Sequence, residues 1–138
     1  MRNQRVDSFF GRWAPRVFSI LRIITGLLFF EHGTSKVFHF PYISMLAGTK
    51  ISSLIGISGI LELVGGGLLT LGLLTRPAAF VISGEMAVAY FMAHAPKSFF
   101  PVVNQGELAI VYCFLFLYFA VAGGGPLSLD ALFKKRKT

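Results

Sequence analysis

The chain has 138 residues and a net charge of +7; 54% of its residues are apolar and only 14% are charged. A soluble domain of this length would carry close to a quarter charged residues, so the composition excludes an ordinary soluble enzyme and predicts a small polytopic membrane protein. The basic residues gather at the two chain ends. This distribution favours membrane topology over nucleic-acid binding.

The apolar residues group into segments that are each long enough, at about 20 residues, to cross a bilayer core as a helix. These segments lie at about 16–36, 52–74, 77–95 and 105–122. Residues 1–15 are predicted to form a basic interfacial segment with an aromatic anchor, and residues 131–138 a basic cytoplasmic tail. The expected fold of residues 16–130 is an all-α, antiparallel four-transmembrane-helix bundle.

The distribution of lysine and arginine predicts the orientation of this bundle. The two chain ends and the turn at 75–77, which lie on one side of the predicted bundle, hold nine of these residues. The other side of the bundle holds three. The nine are Arg2, Arg5, Arg12, Arg16, Arg76, Lys134, Lys135, Arg136 and Lys137, and the three are Lys36, Lys50 and Lys97. Because positive loops stay inside, we expect both termini in the cytoplasm.

Three ionisable residues fall inside the predicted spans and are expected to form a buried charge network. They are Arg22 in the first segment, Glu62 in the second and Glu85 in the third. A bare carboxylate within a bilayer is unfavourable, so Arg22 is the expected partner of Glu62, Glu85 or both. The alternative is a purely structural pair that fixes helix packing.

A second polar cluster is expected toward the outer side, as a candidate ligand site with apolar walls. Its candidate residues are His32, Lys36, His94 and Glu107, with Tyr118 on the aromatic face below Glu107. A quinone-like ligand would suit such a site, because His32 or His94 can donate a hydrogen bond to a carbonyl and a nearby carboxylate can pass a proton. Metal binding by His32, His94 and Glu107 is a weaker alternative, because these residues do not form a local ligand-spacing motif. Haem binding is a third alternative, supported only by the two histidines His32 and His94. Helix capping by the same side chains is the plainer alternative.

Five motifs in order resemble the DoxX family of small bacterial membrane proteins. They are Leu-Arg-x-x-x-Gly-Leu-Leu-Phe-x-x-His-Gly-x-x-Lys at 21–36, Glu62-Leu-x-Gly-Gly-Gly67, Gly72-Leu-Leu-Thr-Arg76, Gly106-Glu107, and Gly123-x-Gly-Pro-Leu-Ser-Leu-Asp130. The resemblance implies a four-helix protein of the bacterial inner membrane. It also implies a link to thiosulfate:quinone oxidoreduction or to a membrane complex that handles oxidative stress. The motif positions include Arg22, His32, Lys36, Glu62, Arg76, Glu107 and Asp130.

The leading functional hypothesis is a subunit of a membrane redox system that binds a quinone or a lipid-like ligand. The single cysteine, Cys113, excludes a dithiol relay within the chain, and no intrinsic cofactor motif is present. We therefore expect a soluble or membrane redox partner, and a homodimer is compatible with the glycine-rich segments. One alternative is a small proton or solute transporter that uses Glu62 and Glu85. The other is a structural anchor for a soluble enzyme, with the basic tail as its contact.

Overall fold

A computed structural model describes residues 4–136, and within that range the chain is all-α, without strands. The helices are α1 (Gln4–Val37), α2 (Leu54–Leu71), α3 (Thr75–Ala89), α4 (Pro101–Asn104), α5 (Glu107–Ala122) and α6 (Leu129–Lys135). A 3₁₀ turn at Ser44–Leu46 lies between α1 and α2, and a π-helical turn at Tyr90–His94 continues α3. The prediction of an all-helical chain is confirmed.

Helix α1 has 34 residues and continues through Pro15 without a break. The basic segment 1–15 and the first apolar segment were predicted to be separate at Pro15, and proline removes one backbone hydrogen bond from a helix. The carbonyl group of Pro15 accepts a hydrogen bond from the Ser19 hydroxyl at 3.0 Å. The basic N-terminal segment and the first apolar segment therefore form one helix of about 51 Å, longer than a bilayer core of about 30 Å.

Two of the helical stretches are long and apolar enough to cross a membrane: Phe9–Val37 within α1, and α2. Helix α5 is as apolar as α2 but shorter, with 16 residues. Helix α3 has 15 residues before its π-helical turn. The predicted segments at 77–95 and 105–122 thus correspond to α3 with its π-helical turn and to α5.

Helices α1 and α2 pack against each other through glycines. A Cβ atom added at Gly66 would lie 2.5 Å from the backbone nitrogen of Phe30, and one added at Gly33 would lie 2.7 Å from Leu63 Cα. Because Gly33 lies opposite Leu63 and Gly26 lies opposite Thr70, the two helices are antiparallel. The small residues let the two backbones approach closely, as is common between membrane helices.

Helices α3 and α5 complete the core beside this pair. The buried apolar side chains include Phe29, Leu69, Ile82, Phe116 and Phe119. The ring centroids of Phe29 and Phe116 are 4.7 Å apart. Many other large apolar side chains face outward, among them Phe80 and Phe114, which are 66% and 65% exposed. Such extensive exposed apolar surface is unusual for a soluble monomer and suits contact with lipid.

Candidate functional site

A cluster of polar side chains lies between α1, α2 and α3. The ammonium group of Lys36 donates hydrogen bonds to Glu62 Oε1 at 2.7 Å and to Ser58 Oγ at 2.9 Å. The Ser58 hydroxyl in turn donates to Glu85 Oε1 at 2.6 Å. The Glu62 side chain is 3% exposed and that of Lys36 is 18% exposed. We call these four residues the Lys36–Glu85 cluster.

Helix geometry explains how four separate positions meet. Ser58 and Glu62 are one helical turn apart, so both face the same side of α2. Lys36 reaches them because Gly59 has no side chain, and a Cβ atom there would lie 2.6 Å from Lys36 Cβ. Glu85 arrives from α3, which returns along α2 after a turn with left-handed backbone at Gly72 and Leu74.

Two carboxylate oxygens of this cluster are buried and have no hydrogen-bond partner among residues 4–136. They are Glu62 Oε2 and Glu85 Oε2. A buried oxygen without a donor is unfavourable by about 1–3 kcal/mol or more, and such groups are rare in folded proteins. Each of these oxygens can accept a hydrogen bond from a ligand or carry a proton.

The predicted pairing of Arg22 with Glu62 or Glu85 is wrong, because Lys36 is the cation of that cluster. Arg22 is fully buried elsewhere and binds backbone carbonyl groups at the ends of α2 and α5. Its Nε donates to Gly124 O at 2.8 Å and its Nη2 to Leu127 O at 2.5 Å. Its Nη1 donates to the carbonyl oxygens of Leu69 and Thr70.

The antiparallel register explains this correction. Gly33 lies opposite Leu63, so the stretch of α1 next to Glu62 is the one that ends in Lys36. Arg22 is 14 residues earlier, about 21 Å along the helix, and reaches the other end of α2. A Cβ atom added at Gly72 would lie 3.0 Å from Arg22 Cζ.

The structure does not gather the outer polar cluster into one site. His32 is exposed and its Nδ1 lies 2.9 Å from Leu28 O of its own helix. His94 Nδ1 lies 3.0 Å from Asn104 O. Glu107 is exposed at the start of α5, about 16 Å along that helix from Tyr118. Of the predicted ligand residues, Lys36 alone joins the Lys36–Glu85 cluster.

Two further observations concern these residues. The ring of Tyr118 packs against that of Phe18, with 5.6 Å between centroids. Within the described range, no group of three or more histidine, cysteine, aspartate or glutamate side chains is arranged to hold a metal ion. Sequence reasoning missed Ser58, whose only signal was its position one turn before Glu62.

Asp130 closes the opposite end of the helix bundle. Its Oδ1 accepts a hydrogen bond from the Leu74 backbone N–H and its Oδ2 one from that of Thr75, both at 2.9 Å. The carboxylate therefore satisfies donors at the N-terminus of α3. Partial burial alone would raise the pKa of Asp130, but the hydrogen bonds from Thr75 and Leu74 and the charge of Arg22 outweigh it. The pKa of Asp130 is lowered overall.

This lowered pKa predicts an acid-dependent loss of stability. A carboxylate whose pKa is lower in the folded state stabilises the fold above its unfolded pKa, here near 3.8, and this contribution disappears as the pH falls through the folded value. We expect Asp130→Asn to lower the free energy of unfolding at pH 7 and to flatten its decline below about pH 4. Denaturant unfolding of the detergent-solubilised protein between pH 3 and pH 7 measures both effects. An unchanged pH profile in the variant would contradict this role.

Comparison with known proteins agrees with the motifs and the fold. A sequence model of the DoxX family matches residues 17–95. An uncharacterized protein of Haemophilus influenzae is 44% identical over 130 residues, covering 91% of this chain and 96% of its own. A second uncharacterized protein of that organism is 30% identical over 126 residues, covering 84% and 82%. No solved structure matches. The chain belongs to the DoxX family of membrane proteins.

Proposed function

We propose that the chain crosses the bacterial inner membrane four times, with both termini in the cytoplasm. Two helical stretches, Phe9–Val37 and α2, have the length and apolar character of spans, and α3 and α5 pack beside them. The large apolar side chains that face outward support lipid contact for all four helices. The excess of basic residues at the two chain ends supports the orientation.

Within this arrangement, we propose that the Lys36–Glu85 cluster is the polar end of a site for a quinone or a quinone-like ligand. The observation that carries the proposal is the pair of buried, unpartnered oxygens, Glu62 Oε2 and Glu85 Oε2. Lysine has three N–H donors, and two of those of Lys36 already bind Glu62 and Ser58. A ligand that presents both hydroxyl and carbonyl oxygens would therefore find acceptors and a donor together.

The chemistry of the cluster suits proton exchange with such a ligand. Oxidation of a hydroquinone releases two protons and two electrons, and two carboxylates can accept the protons. The electrons need a separate acceptor, so the proposal includes a redox partner protein that takes them. The chain itself would bind the ligand, hold the protons and exclude water. This role is that of a membrane subunit in a quinone-linked redox system.

Mass spectrometry of an organic extract tests this proposal. The protein should be purified gently from native membranes, and we expect about one quinone per chain. Glu85→Gln removes one unpartnered carboxylate oxygen and should lower the quinone content about tenfold. Glu107→Gln is the matched control because that carboxylate is exposed at the start of α5. An extract that contains only bulk phospholipid, or equal quinone in both variants, would sink the proposal.

Proton-coupled transport is the second candidate, and one observation favours it. Lys36 donates to both Glu62 and Ser58, and Ser58 donates to Glu85, so hydrogen bonds connect the two carboxylates. Ionisable groups within the membrane often form proton relays. Proton flux into proteoliposomes, reported by an enclosed pH-sensitive dye, should then fall in Ser58→Ala. Flux equal to that of empty liposomes would remove this candidate.

A further inference from the structure

A cavity of about 440 Å³ lies at the end of the bundle where Asp130 binds α3. The turn before α3, the loop after α5 and the start of α6 form its walls. Its lining includes Thr75, Arg76, Gly124, Asp130 and Lys134. Thr75 and Glu85 are ten residues apart on α3, about 15 Å along the helix, so this cavity is separate from the Lys36–Glu85 cluster.

Positive charge dominates the cavity. Arg76 and Lys134 are exposed on its wall, and neither side chain has a hydrogen-bond or ion-pair partner in the described part of the chain. Arg22 lies beneath the loop and donates to Gly124 O. Asp130 is the carboxylate of the lining, and both of its oxygens already accept backbone N–H groups. Among the lining residues, two exposed cations, Arg76 and Lys134, therefore outnumber one carboxylate that is already engaged.

Thr75 supplies an independent sign that a ligand belongs here. Its side chain is fully buried, and its Oγ1 forms no hydrogen bond of good geometry within residues 4–136, although the side chain is close enough to Asp130 to lower the pKa of that carboxyl. A buried hydroxyl without a partner is unfavourable by about 1–3 kcal/mol. Because Thr75 lines the cavity, an acceptor oxygen held there would satisfy the hydroxyl.

Glycine holds the loop against these groups. A Cβ atom at Gly124 would lie 2.8 Å from Thr75 Oγ1 and 2.7 Å from Ser128 Cβ. Gly123 has a positive φ of 85°, and a Cβ atom there would lie 3.4 Å from Arg76 Nε. Larger residues would thus push the loop away from Thr75 and crowd the guanidinium group. The glycine-rich motif that follows α5 shapes this cavity.

We propose that the cavity binds a phosphoryl group. A phosphoryl group offers several acceptor oxygens in a compact anion, which matches an arginine fork, an ammonium group and a hydroxyl. Two sources share this chemistry: a free phosphate anion and the headgroup of an anionic phospholipid. The proposal does not depend on the quinone site, because the two sites share no residue.

The experiment uses the full chain and two probes, inorganic phosphate in detergent and nanodiscs of phosphatidylglycerol or phosphatidylcholine. The variants are Arg76→Gln and Thr75→Val, with Lys97→Gln as the matched loss of one exposed cation outside the cavity. Phosphate affinity is measured by calorimetry, and bound lipid by native mass spectrometry. We expect Arg76→Gln to weaken binding about tenfold and Lys97→Gln to leave it unchanged.

The outcomes separate the two sources and can also reject the site. Phosphate binding that Arg76→Gln weakens supports a free anion, and retention of phosphatidylglycerol alone supports a headgroup. Thr75→Val should weaken the same binding while the free energy of unfolding changes little, because the hydroxyl forms no hydrogen bond of good geometry within residues 4–136. If neither probe binds, or if Arg76→Gln and Lys97→Gln have equal effects, the proposal is overturned.

Discussion

Replacement of Gly33 by alanine is expected to destabilise the protein by about 3 kcal/mol. The added Cβ atom would lie 2.7 Å from Leu63 Cα and 2.9 Å from the carbonyl carbon of Glu62. Both neighbours are backbone atoms of α2, so no side-chain rotation relieves the overlap, and the two helices must separate. Separation would also disturb the hydrogen bond between Lys36 and Glu62.

Gly84→Ala is the matched control for this prediction. Gly84 lies in α3, and a Cβ atom there would have no other group within 4 Å. Alanine favours helix over glycine by roughly 1 kcal/mol, so this control should keep or raise stability. Unfolding of both variants in detergent, followed by circular dichroism, measures the difference. Equal stabilities would show that α1 and α2 do not pack as closely as described.

Loss of the positive charge of Lys36 is expected to destabilise the protein strongly. In Lys36→Met, Glu62 would remain in a site where its side chain is 3% exposed, without the ammonium group that now lies 2.7 Å away. Removal of one partner of a buried ion pair typically destabilises a protein by about 3–5 kcal/mol. We expect Lys97→Met, at an exposed position, to change stability by no more than about 0.5 kcal/mol.

A double-mutant cycle distinguishes the ion pair from simple loss of packing. Glu62→Gln leaves a neutral side chain of the same shape, so the double variant Lys36→Met with Glu62→Gln buries no unpaired charge. The double variant should therefore be destabilised by about 1–3 kcal/mol less than the sum of the two single destabilisations. Reversible unfolding of the four proteins in detergent gives this coupling energy. Additive effects would mean that Lys36 and Glu62 do not form a pair.

The helical fold and the family can be predicted from local sequence patterns, whereas the start of the first helix cannot. Long apolar runs and the order of the motifs were enough to predict an all-helical DoxX protein, and both are confirmed. The change from a basic to an apolar composition after Pro15 predicted two separate segments. In the structure the residues before and after Pro15 form one helix, and the Ser19 hydroxyl binds the Pro15 carbonyl.

The partners of the charged side chains depend on how neighbouring helices are aligned along their length. The sequence of one segment does not show this alignment. Arg22, Glu62 and Glu85 were grouped because each falls inside a predicted span, which does not show how the spans are aligned along their length. Close contacts of glycines, such as that of Gly33 with Leu63, determine how α1 and α2 are aligned. This alignment places Lys36 next to Glu62. Spacing on a helix face likewise cannot predict that His94 binds Asn104.

The position of Arg22 has a consequence for the order in which the protein matures. During synthesis, Arg22 emerges from the ribosome 102 residues before Gly124 and 105 residues before Leu127, whose carbonyl groups it binds. Until those last residues are made, the guanidinium group has only the acceptors on α2. A nascent chain that stops at residue 122 would contain every long helix and still leave this cation half satisfied. Arg22 can therefore complete its hydrogen bonds only after the loop that follows α5 has been synthesised.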